Sequence, residues 1–181
     1  IQKLGYVISS NDIKKFNCEI CSKGKERRKN FQKNLPKNYR SKAIGELIHS
    51  DICGPIEPIT LAKNQYFITF TDDFSRYTVT YVIKEKSEAL EKFQEYRSLL
   101  INQKGVKIKY FRSDNGGEYI SKEFDAYLAK KGIIRQLTPP YTPQRNGISE
   151  RINQTLLNKV RCMIEETNLN KRFWGEAVTT A

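Results

Sequence analysis

Residues 109–151 constrain the fold of this chain more than any other stretch, because strand and helix patterns alternate there between two acids. A short β-prone run leads into Asp114 and a glycine-rich turn, and Ser121 is the predicted N-cap of the helix that follows. A short strand pattern, a loop with three prolines and an amphipathic helix pattern carrying Glu150 come next. Between Asp114 and Glu150 lie 35 residues. This gap leaves room for a helix and a strand, so the two acids can come from different elements and still meet.

The other patterns predict an α/β domain with a mixed sheet. Residues 46–53 alternate as a strand, residues 65–84 are typical of a β-hairpin, and residues 87–104 are typical of an amphipathic helix. The order strand, hairpin, helix, strand, helix, strand, helix favours a sheet with helices on its faces.

Three further acids lie in these predicted strands and turns. Asp51 stands inside the first strand, where aspartate is disfavoured and therefore needs an explanation. The structural alternative for Asp51 is an acid at a strand edge or near a turn. Asp72 and Asp73 lie in the hairpin turn, and for these two we expect hydrogen bonds to local amides.

The charge of the chain predicts a polyanionic partner. The sequence has 32 Lys and Arg against 20 acids, a formal net charge of +12, and a pI of about 9.5. Such a surplus favours nucleic acid or an anionic membrane. No apolar run reaches the roughly 18 residues that a spanning helix needs, so we expect no membrane partner. The 181 residues, of which 38% are hydrophobic, suffice for one domain with its own core.

The four cysteines are more typical of free thiols or metal ligands than of a disulfide framework. Cys18 and Cys21 have the spacing of one half of a tetrahedral zinc site, which needs two further ligands. His49, the single histidine, would lie about 13 Å from Cys53 along a strand, too far to share one ion. Two interpretations remain, a pair of free thiols or half of a zinc module whose histidines precede Ile1. The second agrees with our expectation that the chain is a piece of a longer polyprotein.

Asp51, Asp114 and Glu150 form the candidate catalytic set. Each lies on or beside a regular element, and ligation by oxygen alone is what Mg²⁺ or Mn²⁺ prefers. Two such ions per site, roughly 3.5 to 4 Å apart, would activate an attacking oxygen and stabilise the leaving oxygen of an in-line phosphoryl displacement. No His, Cys or Lys accompanies the acids in a nucleophilic pattern, so a Ser-His-Asp or Cys-His mechanism does not fit.

The motifs around these acids resemble those of retroviral and retrotransposon integrases. Leu-Ile-His-Ser-Asp-Ile-Cys-Gly-Pro surrounds Asp51, Arg-Ser-Asp-Asn-Gly-Gly-Glu-Tyr surrounds Asp114, and Tyr-Thr-Pro-Gln-Arg-Asn-Gly-Ile-Ser-Glu-Arg contains Glu150. The Phe-Trp-Gly-Glu-Ala run at residues 173–177 and the cysteine segment at residues 18–25 are closer to the copia type of LTR retrotransposon than to the retroviral branch. The resemblance covers nearly the whole chain.

This resemblance implies an RNase H-like fold, a five-stranded mixed sheet flanked by helices, with a small N-terminal remnant of a zinc module. It also implies a polynucleotidyl transferase and endonuclease of the D,D-35-E type, which processes the 3′ end of element DNA and then joins that end to host DNA. Asp51 would bridge both ions, while Asp114 and Glu150 would each complete one. Cys18 and Cys21 match the cysteine half of the family's zinc-binding region, whose histidine half is absent from this sequence.

The candidate DNA contacts come from two sources. By resemblance, the Gln-Arg-Asn run at residues 144–146 matches the mobile loop that contacts DNA ends. From the pattern of the last helix, several polar residues share the side of Glu150, a face suited to phosphates or to water. The candidate DNA-binding residues are Asn115, Gln144, Arg145, Asn146, Arg151, Asn153, Gln154 and Arg161.

The resulting expectation is a two-part chain. Residues 1–35 would hold the remnant of the zinc-binding region and a basic linker, and residues 40–181 the catalytic core. Its partners would be element-end DNA, host target DNA and further copies of itself, in the nucleus when acting and in a cytoplasmic virus-like particle beforehand. The alternatives are a non-catalytic DNA-binding or assembly module and an RNase H-type nuclease acting on RNA:DNA hybrids. The 35-residue gap and the Pro-Gln-Arg-Asn-Gly loop argue against the nuclease.

Overall fold

The computed structural model of the chain describes residues 41–137 and 147–181. Within these ranges the strands are β1 (Leu47–Cys53), β2 (Tyr66–Asp72), β3 (Thr78–Ile83), β4 (Tyr110–Ser113) and β5 (Ile134–Leu137). The α-helices are α1 (Ala89–Lys104), α2 (Lys122–Lys131), α3 (Gly147–Thr167) and α4 (Trp174–Thr180), and short 3₁₀ turns at Lys86–Glu88 and Lys171–Phe173 precede α1 and α4.

The described strands form one mixed sheet in the order β3-β2-β1-β4-β5. β1 to β3 are antiparallel neighbours, whereas β1, β4 and β5 run parallel to one another. The carboxyl ends of these three parallel strands therefore lie at the same edge of the sheet. Ligands and chemistry collect at this edge in open α/β sheets. The structure confirms the predicted mixed sheet with flanking helices.

One face of the sheet is covered by α1 and α2 through an aromatic core. The ring of Phe93 on α1 packs against Phe111 of β4 with centroids 4.6 Å apart, and Phe70 of β2 stacks on Tyr96 at 5.0 Å. Phe124 brings α2 into the same cluster. Full burial of a side chain of this size stabilises the fold by about 1.5–3 kcal/mol, so this face holds the sheet flat against its two helices.

The opposite face is covered by α3 and α4. Phe67 of β2, Val160 of α3 and Trp174 of α4 form a second buried cluster. The indole Nε1–H of Trp174 also donates to the carbonyl of Pro58, at 2.9 Å. Because α3 carries the predicted catalytic glutamate, this second cluster determines where that glutamate lies relative to β1.

The helix ends follow the local sequence rules. Gly105 and Gly132 end α1 and α2 with φ of 63° and 66°, in the left-handed region that glycine adopts without strain. The Ser121 hydroxyl accepts a hydrogen bond from the Phe124 amide, as an N-cap does. The β-prone run that leads into Asp114 forms a strand only from Tyr110 onward, where β4 pairs with β1. No helix in the described part of the chain is long and apolar enough to cross a membrane.

Candidate active site

The three candidate acids lie at the edge where the parallel strands end or on the helix beside it. Asp51 is the fifth residue of β1 and is partly buried. Asp114 directly follows β4 and is exposed, and its Oδ1 accepts a hydrogen bond from the Gly116 amide at 3.0 Å. Glu150 is exposed in the first turn of α3. Two strand ends and one helix end thus each contribute one carboxylate.

The surroundings of Asp51 disfavour its ionisation. Burial, and then the negative charges of Asp114 and Glu150, raise the pKa of Asp51 to about 7. The hydrogen bond from Asn153 opposes this rise. Burial and like charges destabilise the ionised form of Asp51, and a bound cation would stabilise that form. The negative charges of Asp114 and Glu150, which are distant from Asp51 in sequence, therefore act on the Asp51 carboxylate.

Asn153 connects α3 to β1 and β2. Its Nδ2 donates to Oδ2 of Asp51 at 2.8 Å, and its Oδ1 accepts from the Thr69 hydroxyl at 2.9 Å. Asn153 is only 5% exposed. The sequence pattern had assigned Asn153 to the exposed polar side of the last helix, and the structure corrects that assignment. Its amide is already engaged inside the protein, because Asn153 lies on the buried side of α3 with Val160.

A second buried link joins the segments that carry Asp51 and Asp114. The hydroxyl of Tyr119, which follows the glycine turn after Asp114, lies 2.8 Å from the hydroxyl of Ser50. Both residues are fully buried. Sequence reasoning missed this pair, although Tyr119 and Ser50 both lie inside the motifs that it singled out. The position of Tyr119, at the end of the glycine turn that follows Asp114, was the one sequence feature that could have indicated a contact near the site.

The acids of the hairpin turn are held differently. Asp72 accepts hydrogen bonds from the amides of Gly45 and Ser75, both at 2.7 Å, and from the Ser75 hydroxyl. Asp73 accepts from the Ser41 amide at 2.7 Å and from Nε2 of buried His49 at 3.1 Å. The expectation of local amide bonding is confirmed for Asp72 through Ser75, but it is wrong for Asp73, whose amide donor Ser41 lies 32 positions away in the chain.

The ionisation of His49 and Asp73 follows from these contacts. Burial lowers the pKa of His49, although the hydrogen bond with Asp73 opposes this. Burial works against ionisation of Asp73, but the hydrogen bonds from His49 and Ser41 hold its pKa below the usual range. Asp73 is thus a satisfied structural carboxylate and His49 is a neutral ring.

Cys53, two residues after Asp51 on β1, is not an activated nucleophile. Burial and the negative charge of Asp51 raise the pKa of the Cys53 thiol to about 11, and the positive charge of Arg161 acts in the opposite direction. The thiol therefore stays protonated at neutral pH. The same contacts show that Arg161 lies close enough to β1 to act on the active-site edge.

The remaining predicted DNA contacts divide into three groups. Asn115, Gln154 and Arg161 are exposed, and the last two hydrogen-bond Asn158. Arg151 is also exposed and donates through Nε to the Gly147 carbonyl at 2.9 Å. The third group, Gln144, Arg145 and Asn146, lies outside the described residues, and so do the candidate zinc ligands Cys18 and Cys21.

The donor set of Asp51, Asp114 and Glu150 fits a hard divalent cation, because it consists of carboxylate oxygens alone. Across residues 41–137 and 147–181, no three His, Cys, Asp or Glu side chains lie close enough together to hold one ion.

A mixed five-stranded sheet with an acid after β4, an acid within β1 and an acid at the start of α3 defines the RNase H-like class of catalytic cores. Two solved structures share this fold. A chain of the simian T-cell lymphotropic virus intasome in complex with the PP2A regulatory subunit B56 gamma has a TM-score of 0.63 and 20% sequence identity, and the match covers 98% of this chain and 62% of that one. The HTLV-2 integrase catalytic core domain in complex with magnesium has a TM-score of 0.58 and 19% identity, and the match covers 78% of this chain and 84% of that one.

The chain belongs to the integrase core domain family, whose model matches residues 42–143. It is 44% identical over 164 residues to the retrovirus-related Pol polyprotein from transposon TNT 1-94 of Nicotiana tabacum. It is 34% identical over 137 residues to the corresponding polyprotein from transposon RE1 of Arabidopsis thaliana. These matches cover 91% and 75% of this chain but only 12% and 9% of the relatives, so the chain spans about a tenth of their length. The resemblance to a retrotransposon integrase is confirmed.

Proposed function

We propose that this chain is the catalytic core of a retrotransposon integrase that processes the 3′ ends of element DNA and transfers them into host DNA. The observation that carries the proposal is the position of three acids in a chain of the integrase core domain family: Asp51 within β1, Asp114 directly after β4 and Glu150 in the first turn of α3. Asp72, a structural acid, instead accepts three hydrogen bonds, from the Gly45 and Ser75 amides and the Ser75 hydroxyl.

Asp51, Asp114 and Glu150 would hold the divalent ions, Mg²⁺ or Mn²⁺, of this reaction. Such ions activate an attacking oxygen and stabilise the leaving oxygen of an in-line phosphoryl displacement. The protein's own contribution is to hold the carboxylates. Asn153 orients the Asp51 carboxylate, and the Asp114 carboxylate is oriented by the Gly116 amide. That magnesium accompanies the HTLV-2 core domain supports this choice of metal.

The DNA partner is supported by the position of the basic residues. Arg151 and Arg161 are exposed on α3, the helix that carries Glu150, and Arg161 acts on the Cys53 and Asp51 end of β1. Residues 1–40 add eleven of the 32 Lys and Arg but only three of the 20 acids. The basic side chains of α3 would hold DNA phosphates beside the reacting one, and the basic residues 1–40 would add to the attraction for DNA. Gln144, Arg145 and Asn146 would contact the DNA end.

The proposal extends to assembly and location. Joining two element ends to one target requires at least two copies of the core, and the relatives of known fold include an intasome and a trimeric core domain. We propose that the chain acts as a homo-oligomer in the nucleus after passing through a cytoplasmic particle. Zinc binding by Cys18 and Cys21 would need two ligands from elsewhere.

A strand-transfer assay with Mn²⁺ tests the proposal. The wild-type chain and Glu150→Gln are incubated with labelled duplex DNA and a plasmid target, and joined products are counted. We expect joined product from the wild type alone. Equal product from both proteins would end the transferase assignment.

Two other results of the same assay point elsewhere. Cleavage of an RNA:DNA hybrid without any DNA joining would assign the chain to the nuclease class. Salt-dependent DNA binding by both proteins with no product from either would make it a binding or assembly module.

A further inference from the structure

Among residues 41–137 and 147–181, two buried polar atoms beside the active site have no hydrogen-bond partner: Nδ1 of His49 and Oγ of Ser149. Both residues are fully buried. His49 lies two residues before Asp51 on β1, and Ser149 directly precedes Glu150 on α3. Leaving a buried polar group unpaired costs about 1–3 kcal/mol, so each of these two atoms requires an explanation.

We infer from the packing of α3 on β1 that these two residues lie on facing sides of the helix and the strand. The hydrogen bond between Asn153 and Asp51 fixes which turn of the helix lies over which residue of the strand. Farther along, Val160 of α3 packs with Phe67, the register partner of Cys53, so the helix and β1 run in the same direction. Ser149 lies one turn before Asn153 on the buried side of α3. His49 lies two residues before Asp51 on the same face of β1.

The chemistry of the two atoms is complementary. Asp73 accepts from Nε2 of His49, which puts the ring proton on Nε2 and leaves Nδ1 as an acceptor. The Ser149 hydroxyl is a donor. A hydrogen bond between them satisfies both groups.

We propose that Ser149 donates to Nδ1 of His49 when the first turn of α3 settles onto β1, and that this bond positions Glu150 for catalysis. Glu150 directly follows Ser149 in the first turn of α3. A small shift of the turn that carries Ser149 moves its neighbour Glu150 as well. Asp73, His49 and Ser149 then form a buried chain that runs from the hairpin turn to the catalytic helix. The consequence for Glu150 rests on the proposed function, whereas the hydrogen bond itself does not.

Nitrogen-15 spectroscopy tests the bond directly, because His49 is the only histidine of the sequence. The full chain is labelled at its imidazole nitrogens and measured alone, with saturating Mg²⁺, and with Mg²⁺ plus duplex DNA. We expect a protonated Nε2 and an unprotonated Nδ1. In the wild type, at least one condition should move the Nδ1 resonance to the lower frequency of a hydrogen-bonded acceptor. Ser149→Ala should abolish that movement, and Thr155→Ala should retain it, since the Thr155 hydroxyl bonds the Arg151 carbonyl within the helix.

Two spectroscopic results would overturn the proposal. One is an Nδ1 resonance that is the same in the wild type and Ser149→Ala under all three conditions. The other is a proton found on Nδ1 instead of Nε2. Neither depends on activity, so a wild type that joins no DNA would defeat the proposed function and leave this inference to be decided by the spectra.

Metal dependence tests the positioning role. Loss of one hydrogen bond worth about 1 kcal/mol corresponds to about a 5-fold change in an equilibrium constant. In Ser149→Ala we expect the Mg²⁺ concentration for half-maximal strand transfer to rise by about 5-fold, with the rate at saturating Mg²⁺ retained. A rate lowered equally at every Mg²⁺ concentration would mean that Ser149 is merely structural.

Discussion

Asp73 and Asp51, near the two ends of β1, have opposite pKa shifts, because their surroundings in the sheet differ. Beside its first residues, Asp72 and Asp73 accept hydrogen bonds from backbone amides and side chains, and the pKa of Asp73 is lowered. Near its last residues, burial and two neighbouring acids raise the pKa of Asp51 to about 7. The difference shows which acids serve the fold and which acid is kept at a cost in stability. Such perturbed groups cluster at functional sites.

The largest effect that we expect is a loss of strand-transfer activity when Asp51, near the last residues of β1, is replaced. Asp51→Asn keeps the shape of the side chain but removes the charge that would hold the metal. We expect strand transfer to fall by about 10³-fold or more, equivalent to about 4 kcal/mol of transition-state stabilisation. Single-turnover strand transfer measures this loss. Retention of more than a tenth of the activity would mean that Asp51 is not a metal-holding acid.

At the end of β1 where the acids are hydrogen-bonded, we expect a substitution to lower the free energy of unfolding. Asp73→Asn weakens the hydrogen bonds from Ser41, His49 and Arg76 in a buried site, and we expect a loss of about 2–4 kcal/mol in the free energy of unfolding. Urea denaturation at neutral pH measures it. The matched control is Glu123→Gln at an exposed position of α2, which should change stability by less than about 0.5 kcal/mol. If the two variants were equally stable, the contrast between the two ends of β1 would be lost.

The two ends should also differ in pH dependence. The folded pKa of Asp51 lies above the unfolded value of about 3.9, so the native state binds more protons and its stability falls as pH rises from about 4 to about 7. Asp73 has a lowered pKa, so its contribution is present above about pH 4 and is lost as pH falls below that value.

Asp51→Asn should therefore remove the decline between pH 4 and 7 and raise stability at pH 8 by about 1–3 kcal/mol. Urea midpoints collected across this range check the slope. An unchanged slope in the variant would show that the charge of Asp51 is not repelled by its neighbours.

A smaller effect is expected where α3 holds the Asp51 carboxylate. Asn153→Ala removes the amide donor of Asp51 and the acceptor of Thr69. We expect strand transfer to fall about 10-fold, since one charge-assisted hydrogen bond is worth about 1.5 kcal/mol. Asn102→Ala, at an exposed position of α1, is the control and should leave strand transfer unchanged. If both variants lost activity equally, Asn153 would have no special part in holding Asp51.

The smallest effect concerns the link between the segments of Asp51 and Asp114. A double-mutant cycle with Ser50→Ala and Tyr119→Phe should give a coupling of about 1 kcal/mol, because each single variant leaves the other hydroxyl buried without its partner. The control is Tyr96→Phe, which removes a buried hydroxyl that has no partner among the described residues and should cost nothing. Additive single effects would show that the two hydroxyls do not bond in solution.

Local rules predicted much of this molecule. The glycine ends of α1 and α2, the Ser121 cap and the acid directly after β4 all depend on residues only a few positions apart. Backbone conformation and capping act over that range, so a single sequence reveals them. The class of fold and the identity of the three acids followed from motifs of about ten residues.

Other features could not be predicted because they join residues far apart in the chain. Asn153 bonds Asp51 across 102 positions, and Tyr119 bonds Ser50 across 69. Hydrophobic periodicity treats any polar residue as exposed, so it placed Asn153 on the wrong side of α3.

By itself, then, the sequence determined which elements form and which acids are available, through interactions between near neighbours. Only the tertiary structure decided which acids are satisfied and which are repelled. Charges, desolvation and hydrogen bonds depend on distances in space, and these are set when α3 packs across the sheet and brings Asn153 and Glu150 to the end of β1.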